Sequence, residues 1–453
     1  MHRDGSGNLI LGGEYVSAMD ADPGAGSYVL QSTLPDAVFV VKVDAAGALT
    51  WAVSLESLGA VYLHGIGSDG AGNIYLSGYS TDSIDLDPGP AVQMAWSAGN
   101  ENFFILSLTP SGLFRWGHCF GGSGYNECYD IATDDAGNSL IVGQMSGTID
   151  FDPGVGQDLH VTSGPADAFL AKFDSNGNLV WAHHFGGNSG DAAGSVALDP
   201  LGKVVFTGIF NGTADFDPAV GTSHNLTATP GNQYGEMFIS KLSENGGFVW
   251  ANAFVNSDSL GSGIGSEIVI HPNGDIYSIG QFVGQVDFDP SPSGVFTLLS
   301  GPVQGNYLLR LDSAGAFGKA VQFEGTDYIY DADLALTLTG DLVIVGGFGQ
   351  SMDLDPGPGT ALITSTSPSN GFVVQLNGNA DYIGGYVISG NYTSVGQTEV
   401  SSSGALYLAG QFTDSVDFDP GIGLDTVHTP SVRSSFLLGD VAIAVSTPVE
   451  NAV

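Results

Sequence analysis

The residues best placed to do chemistry are aspartates that come in pairs. Asp150-Phe151-Asp152-Pro153-Gly154 has near-copies that supply Asp20 and Asp22, Asp85 and Asp87, Asp215 and Asp217, Asp287 and Asp289, Asp353 and Asp355, and Asp417 and Asp419. In a strand, residues two apart face the same side, about 6.5–7 Å from each other. Two bare carboxylates at that range repel by roughly 0.6 kcal/mol in water and about 2.4 kcal/mol at an effective dielectric of 20. A Ca2+ ion, which takes several oxygen ligands, would relieve that repulsion. The same residues also suit a purely structural job. Asp-Pro-Gly is a turn signal, and the first aspartate can accept hydrogen bonds from backbone amides of the turn. The motif lacks the third acidic residue and dense ligand spacing of an EF-hand-type loop. Structural corner and Ca2+ ligand are both open on this reading, and no other cofactor is expected. Acid pairs also hydrolyse glycosides, but a pair in every copy suits a scaffold better than one active site.

Other candidates are fewer. Trp51, Trp116, Trp181 and Trp250 hold one place in four copies. They could stack on sugars, but a fixed place in a strand points first to packing. His183 and His184 are adjacent, so in a strand they face opposite sides and do not share a metal. Cys119 and Cys128 stand nine apart in one Gly-rich stretch. That placement suggests a local disulfide and an oxidising compartment, with two inert thiols as the alternative. No Gly-x-Ser-x-Gly, His-Glu-x-x-His or P-loop pattern occurs.

The elements that carry these residues follow from the spacing. Successive first aspartates are 65, 65, 65, 72, 66 and 64 residues apart. A fixed period of this size means stacked copies of one supersecondary unit. Each pair also follows a hairpin glycine by 13 residues (Gly7, Gly72, Gly137, Gly202, Gly274, Gly340, Gly404). The best copy reads as four short strands: a over Ile131–Asp134, b over Ser139–Gly143, c over Phe169–Asp174 and d over Val180–Phe185. The Asp-x-x-Gly-Asn turn joins a to b, and Asp174-Ser175-Asn176-Gly177 joins c to d. No amphipathic helix is evident. The expected fold is all-β, a seven-bladed β-propeller of four-stranded blades with incomplete terminal blades. Its repeats run approximately over 1–65, 66–130, 131–195, 196–267, 268–333, 334–397 and 398–446, with a tail at 447–453. Copy 1 enters at its a–b turn, so strand a is expected to be missing and an upstream piece is expected to precede it. The variable b–c stretch and the d–a link then share one face, where a partner is expected to bind.

Composition limits the partners. The 453 residues include 48 acidic and 9 basic side chains, for a formal charge of −39. Such a charge argues against nucleic acid and anionic membranes. Yet 43% of residues are hydrophobic and 13% charged, so the chain can build a core and is not a disordered acidic tail. No apolar run reaches the ~18 residues of a membrane span.

The pattern in Gly72-Asn73-Ile74-Tyr75, Asp150–Gly154, Phe169–Asp174, Trp181-Ala182 and Phe185-Gly186-Gly187 resembles the SBBP β-propeller repeats of bacterial surface and secreted proteins. The resemblance covers nearly the whole chain and implies a fold, a secreted or cell-surface location and membership of a larger protein, with no shared activity. The segment Thr447–Ala452 looks like the lead-in to a type IX secretion sorting domain. A non-catalytic binding, adhesion or structural module with a protein or glycan partner is the expected function. The alternative is a polysaccharide hydrolase or lyase with a site in the central channel.

Overall fold

The computed structural model describes residues 1–441, apart from 96–99, 123, 233–234, 257–260, 302–303, 326–328, 366, 402, 419–425 and 429–433. Among the described residues every regular element is a β-strand, and no helix is long and apolar enough to cross a membrane. The chain forms two compact units, Met1–Ala253 and Phe254–Val453.

Copy 3, in the first unit, shows the repeat. Strands a (Glu127–Thr133), b (Ser139–Met145), c (Asp167–Phe173) and d (Leu179–Gly187) form an antiparallel sheet in that order. Strand c is buried along its whole length, as are all but one residue of b, while d is mostly half-buried. Such runs read as continuously apolar because both faces of the inner strands are covered. The a–b glycines adopt the left-handed conformation, with φ of 84° at Gly137. A side chain there would be strained, which explains why this position is glycine in every copy. In copy 1 strand a is present as His2–Arg3, paired with Leu9 and Ile10, so the expectation that it is missing is corrected.

The stretch between b and c is more ordered than the sequence suggests. In copy 3 it forms a ribbon, Thr148–Asp150 against Leu159–Val161, with the aspartate motif at its turn. The ribbon of copy 4, Thr213–Asp215 against Asn225–Thr227, does something further. It pairs with strand d of copy 3 through Gly186↔Asp215 and Gly187↔Ala214. The ribbon of copy 2 reaches strand d of copy 1 in the same way, through Ser57↔Ile84. The Gly-Gly link follows from this contact, because a Cβ on Gly187 would lie 1.8 Å from the Thr213 carbonyl oxygen.

Candidate functional site

The aspartate motif is built around its middle residue. Leu86, Phe151, Phe216, Phe288 and Leu354 are all essentially inaccessible, and Ala21 is buried. Phe151 sits among Phe103 and Phe120 of copy 2 and Phe169 of its own copy. Burying one such ring contributes about 1.5–3 kcal/mol.

The flanking carboxylates hold the turn that delivers this ring. Asp150 Oδ1 accepts from the Asp152 and Asp158 amides at 3.2 and 2.8 Å, and Asp152 Oδ1 accepts from Gly154 N at 2.7 Å. Asp20 with Asp22, Asp85 with Asp87 and Asp353 with Asp355 repeat all three bonds. Asp215 with Asp217 and Asp287 with Asp289 repeat them with Ala219 and Ser291 as the last donors. Asp417 ends a strand that pairs with Thr426–His428, and Asp419 lies outside the described residues. The second oxygen of Asp152 folds over its own loop, 2.1 Å from where a Gly156 Cβ would be. The two carboxylates of a pair therefore serve different parts of the loop. Among the described residues no three His, Cys, Asp or Glu side chains converge to hold a metal ion, whereas Ca2+ takes six to eight oxygens.

The tryptophans join neighbouring copies. Trp116 Nε1 donates to Ser175 O at 3.0 Å, and its ring lies over Gly177 of the copy 3 c–d turn. Trp51 does the same to Pro110 O and Gly112, and Trp181 to Glu244 O and Gly246. In copies 5 and 6 the strand register puts other residues at this place. Lys319 and Gly384 occupy the place, opposite Arg310 and Gln375 as Trp181 is opposite Lys172. Lys319 reaches the copy 6 turn by its charge, donating to Asn379 O and pairing with Asp381 at 3.1 Å.

The two cysteines do not form the expected bridge. Both are free thiols; Cys119 pairs with Phe104 in the copy 2 sheet, and Cys128 pairs with Gly143 in the copy 3 sheet. The chain between them passes from one sheet to the next, which carries the two side chains into separate surroundings. Burial pushes both thiols up to about 12, so they are inert. His183 and His184 do take separate partners. His183 stacks on Trp181, and His184 Nδ1 meets His160 Nδ1 at 2.9 Å.

Chemistry that is not repeated gathers in two places that the motif reading passed over. The first is a patch at the ends of strands a and b of copies 1 to 3. Glu14, Tyr79 and Gln144 occupy one strand-b position in successive copies, opposite Val38, Phe103 and Ala168 of strand c. Tyr62 and Tyr79 lie with ring centroids 4.8 Å apart, and His64 stacks on Tyr79 at 5.4 Å. Glu127 accepts from the Tyr129 hydroxyl and from Gln144 Nε2 at 2.8 Å. A hydrogen bond to Glu127, and then burial, raise the pKa of Glu101 to about 7. Glu14 Oε1 accepts from the Leu63 amide at 2.9 Å. Burial, reinforced by Glu127, pushes the Tyr79 hydroxyl up to about 12. Only alignment of the copies could have found this patch, since its members are scattered over 115 residues from Glu14 to Tyr129.

The second is a buried acid pair at the copy 3–4 junction. Asp167 is 0% and Asp191 3% exposed, and both crowd Gly186, their oxygens 2.6 and 2.8 Å from where its Cβ would be. Asp167 Oδ2 accepts from Ser163 N, but among the described residues its Oδ1 has no donor. Asp191 accepts from Asn211 N and Gly187 N at 2.8 and 3.1 Å, yet burial first and Asp167 last raise it to about 7. His184 Nε2 stands 3.8 Å from Asp167 Oδ2, and His160 leads outward to Asp158 at 3.3 Å. One copy earlier the place of Asp191 is held by Asn126, which accepts from Ser146 N at 2.8 Å without a charge.

No known protein-family model matches the chain. Its sequence is similar to an uncharacterized WD repeat-containing protein of Acanthamoeba polyphaga mimivirus, at 25% identity over 69% of this chain. The chain spans about a quarter of that relative, 26% of its length. A crystal structure of a Bacteroides caccae protein of unknown function shares 10% identity, over 76% of this chain and 88% of that one, with a TM-score of 0.30. Together with the repeated antiparallel sheets, the WD-repeat similarity describes a repeat protein of β-propeller-like type.

Proposed function

We propose that this is a non-catalytic extracellular or cell-surface module, a seven-bladed β-propeller of SBBP type that binds a glycan or protein partner. The observation that supports the reading is the patch of Glu14, Tyr62, His64, Tyr79, Glu101 and Glu127. The described copies of the repeated acids are engaged by their own backbones, whereas this patch breaks the repeat and is open to solvent at Tyr62, Glu14 and His64. Aromatic faces beside carboxylate acceptors suit the apolar faces and hydroxyls of a sugar, or the stem and charge of a basic side chain. The Glu101–Glu127 pair also favours a second reading, glycoside hydrolysis. Carboxyl groups joined by a hydrogen bond are closer than the ~5–5.5 Å of retaining or ~6.5–9.5 Å of inverting enzymes, so binding is the stronger reading.

The test is an array of polysaccharides and basic peptides probed with the wild type and with Tyr62→Ala and Glu14→Gln. Binding that either variant weakens tenfold, with no release of reducing ends, is the expected result. Turnover of a polysaccharide abolished by Glu101→Gln would replace this reading with the hydrolase. Binding unaffected by both patch variants would remove the patch from the function.

A further inference from the structure

Two histidines of copy 3 meet where its ribbon crosses its own sheet. His160 is the middle residue of Leu159–Val161, and His184 lies on strand d. Their Nδ1 atoms face each other at 2.9 Å, with the rings nearly perpendicular at 88°. The register shows that neither histidine belongs to the repeat. The place of His160 is apolar in the other six copies, held by Leu30, Ala95, Leu226, Leu298, Ile363 and Val427. The place of His184 is Ser54, Cys119, Gln322 or Val387 in copies 1, 2, 5 and 6. Copy 3 thus departs from the repeat on both sides of one contact, and each time with an imidazole.

Each ring also has a carboxylate behind it. Asp158 Oδ2 stands 3.3 Å from His160 Nε2, and Asp167 Oδ2 stands 3.8 Å from His184 Nε2. The other oxygen of Asp167 is buried with no donor among the described residues. A carboxylate behind a ring draws the N–H to Nε2 and leaves Nδ1 bare. Applied to both rings, this aims two lone pairs at one another. A proton between the nitrogens relieves the repulsion by taking one ring away from its preferred tautomer. A metal ion accepts both lone pairs and keeps each Nε2–H facing its carboxylate, which is the usual setting of a metal-bound histidine. The two carboxylates also bring negative charge toward the ion.

We propose that His160 and His184 bind a divalent copper ion through Nδ1, with water in the remaining positions. At bonds of ~2.0–2.1 Å, nitrogens 2.9 Å apart subtend about 90° at the ion. That is the cis angle of tetragonal Cu2+, whereas tetrahedral Zn2+ asks for about 109° and a wider pair. Imidazole suits copper, and Cu2+ stands highest in the divalent affinity series. The side chains of His160 and His184 are 14% and 29% exposed, so solvent can complete the coordination sphere. His183 takes no part, since it is adjacent to His184 on the strand and stacks on Trp181. No third protein ligand converges among the described residues, which leaves positions on the ion for exchangeable ligands. The proposal is independent of the patch on copies 1 to 3.

Cu2+ titrated by calorimetry into the metal-free whole protein, in a weakly coordinating buffer, measures the affinity, and electron paramagnetic resonance of the loaded protein counts the nitrogen donors. One equivalent should bind, with two equatorial imidazole nitrogens in the spectrum. His160→Leu installs the residue of copies 1, 4 and 5, and His184→Gln installs that of copy 5. Each should weaken Cu2+ at least tenfold, with folding checked by circular dichroism. His183→Gln should stay within twofold of the wild type. The proposal is overturned if Cu2+ does not bind, if the spectrum lacks the paired imidazole nitrogens, if His160→Leu or His184→Gln binds as tightly as the wild type, or if His183→Gln weakens binding as much as His184→Gln does.

Discussion

Copy 3 holds two pairs of carboxylates in opposite circumstances. Asp150 and Asp152 lie on a half-exposed turn, and each has backbone N–H donors in the same loop. Asp167 and Asp191 are buried, crowd one glycine, and leave an oxygen without a donor. The first arrangement recurs through the chain, and the second stands where the preceding copy carries Asn102 and Asn126. Repetition thus marks residues whose electrostatics are already settled by the backbone, and a break in the repeat marks residues whose electrostatics are not.

The comparison can be broken most decisively at the ring between the first pair. Phe151→Ala should destabilise the protein by about 3–5 kcal/mol, since a buried aromatic is removed from a packed junction. Urea denaturation checks this, and a loss under 1 kcal/mol would mean that the turn, not the ring, is the purpose of the motif. The junction pair is next. An acid whose folded pKa is raised from 3.8 to about 7 loses stabilisation as pH climbs through that interval. His183, lowered to about 4 by burial, and His184, also lowered, act in the opposite sense below their ordinary value of 6.5. Asp191→Asn should therefore raise stability at pH 8 by roughly 2 kcal/mol and leave it unchanged at pH 4. Thermal melts across pH 4–8 would show it, and a pH-independent difference would mean that burial does not hold the Asp191 proton.

The corner carboxylate should matter less. Asp150→Ala forfeits two backbone hydrogen bonds to a charged acceptor, about 1–2 kcal/mol at a solvent-accessible site, while Asp150→Asn keeps Oδ1 and should cost under half of that. Neither Ca2+ nor chelator should move the melting temperature; a Ca2+-dependent rise abolished by Asp152→Asn would instead make these loops metal sites. The smallest effect should come from Trp181→Phe, which keeps the packing on Gly246 but removes the hydrogen bond to Glu244 O at 3.4 Å. A loss of about 0.5–1 kcal/mol is expected, read as a shift in the urea midpoint.

How much of this was legible in the sequence depended on range. The hairpin glycines, the four strands and the turn role of Asp150 and Asp152 follow from local patterns of a few residues, and the structure places them as expected. The ribbon was missed because Thr148–Asp150 and Leu159–Val161 are three residues each, too short for a periodic signal. Nor could spacing alone assign the cysteines. Nine residues suffice to cross from one sheet to the next as well as to close a loop. Glu101 meets Glu127, and Asp167 meets Asp191, only because the register sets equivalent strand ends side by side. Reading each copy against its neighbours at Asn126 and Asp191 would have exposed the second pair.

The ribbon that pairs with the preceding strand d also gives the chain a direction of assembly. An outermost strand presents unpaired backbone groups that recruit other chains. In copy 3 the end of that strand, Gly186 and Gly187, pairs with Asp215 and Ala214 of the following copy. During synthesis this edge therefore stays open until the next 28 residues, from Gly187 to Asp215, have emerged. Copies 2 and 4 thus guard the strand made before them against edge-to-edge aggregation, so excising copy 4 would leave the end of copy 3's strand d without this cover.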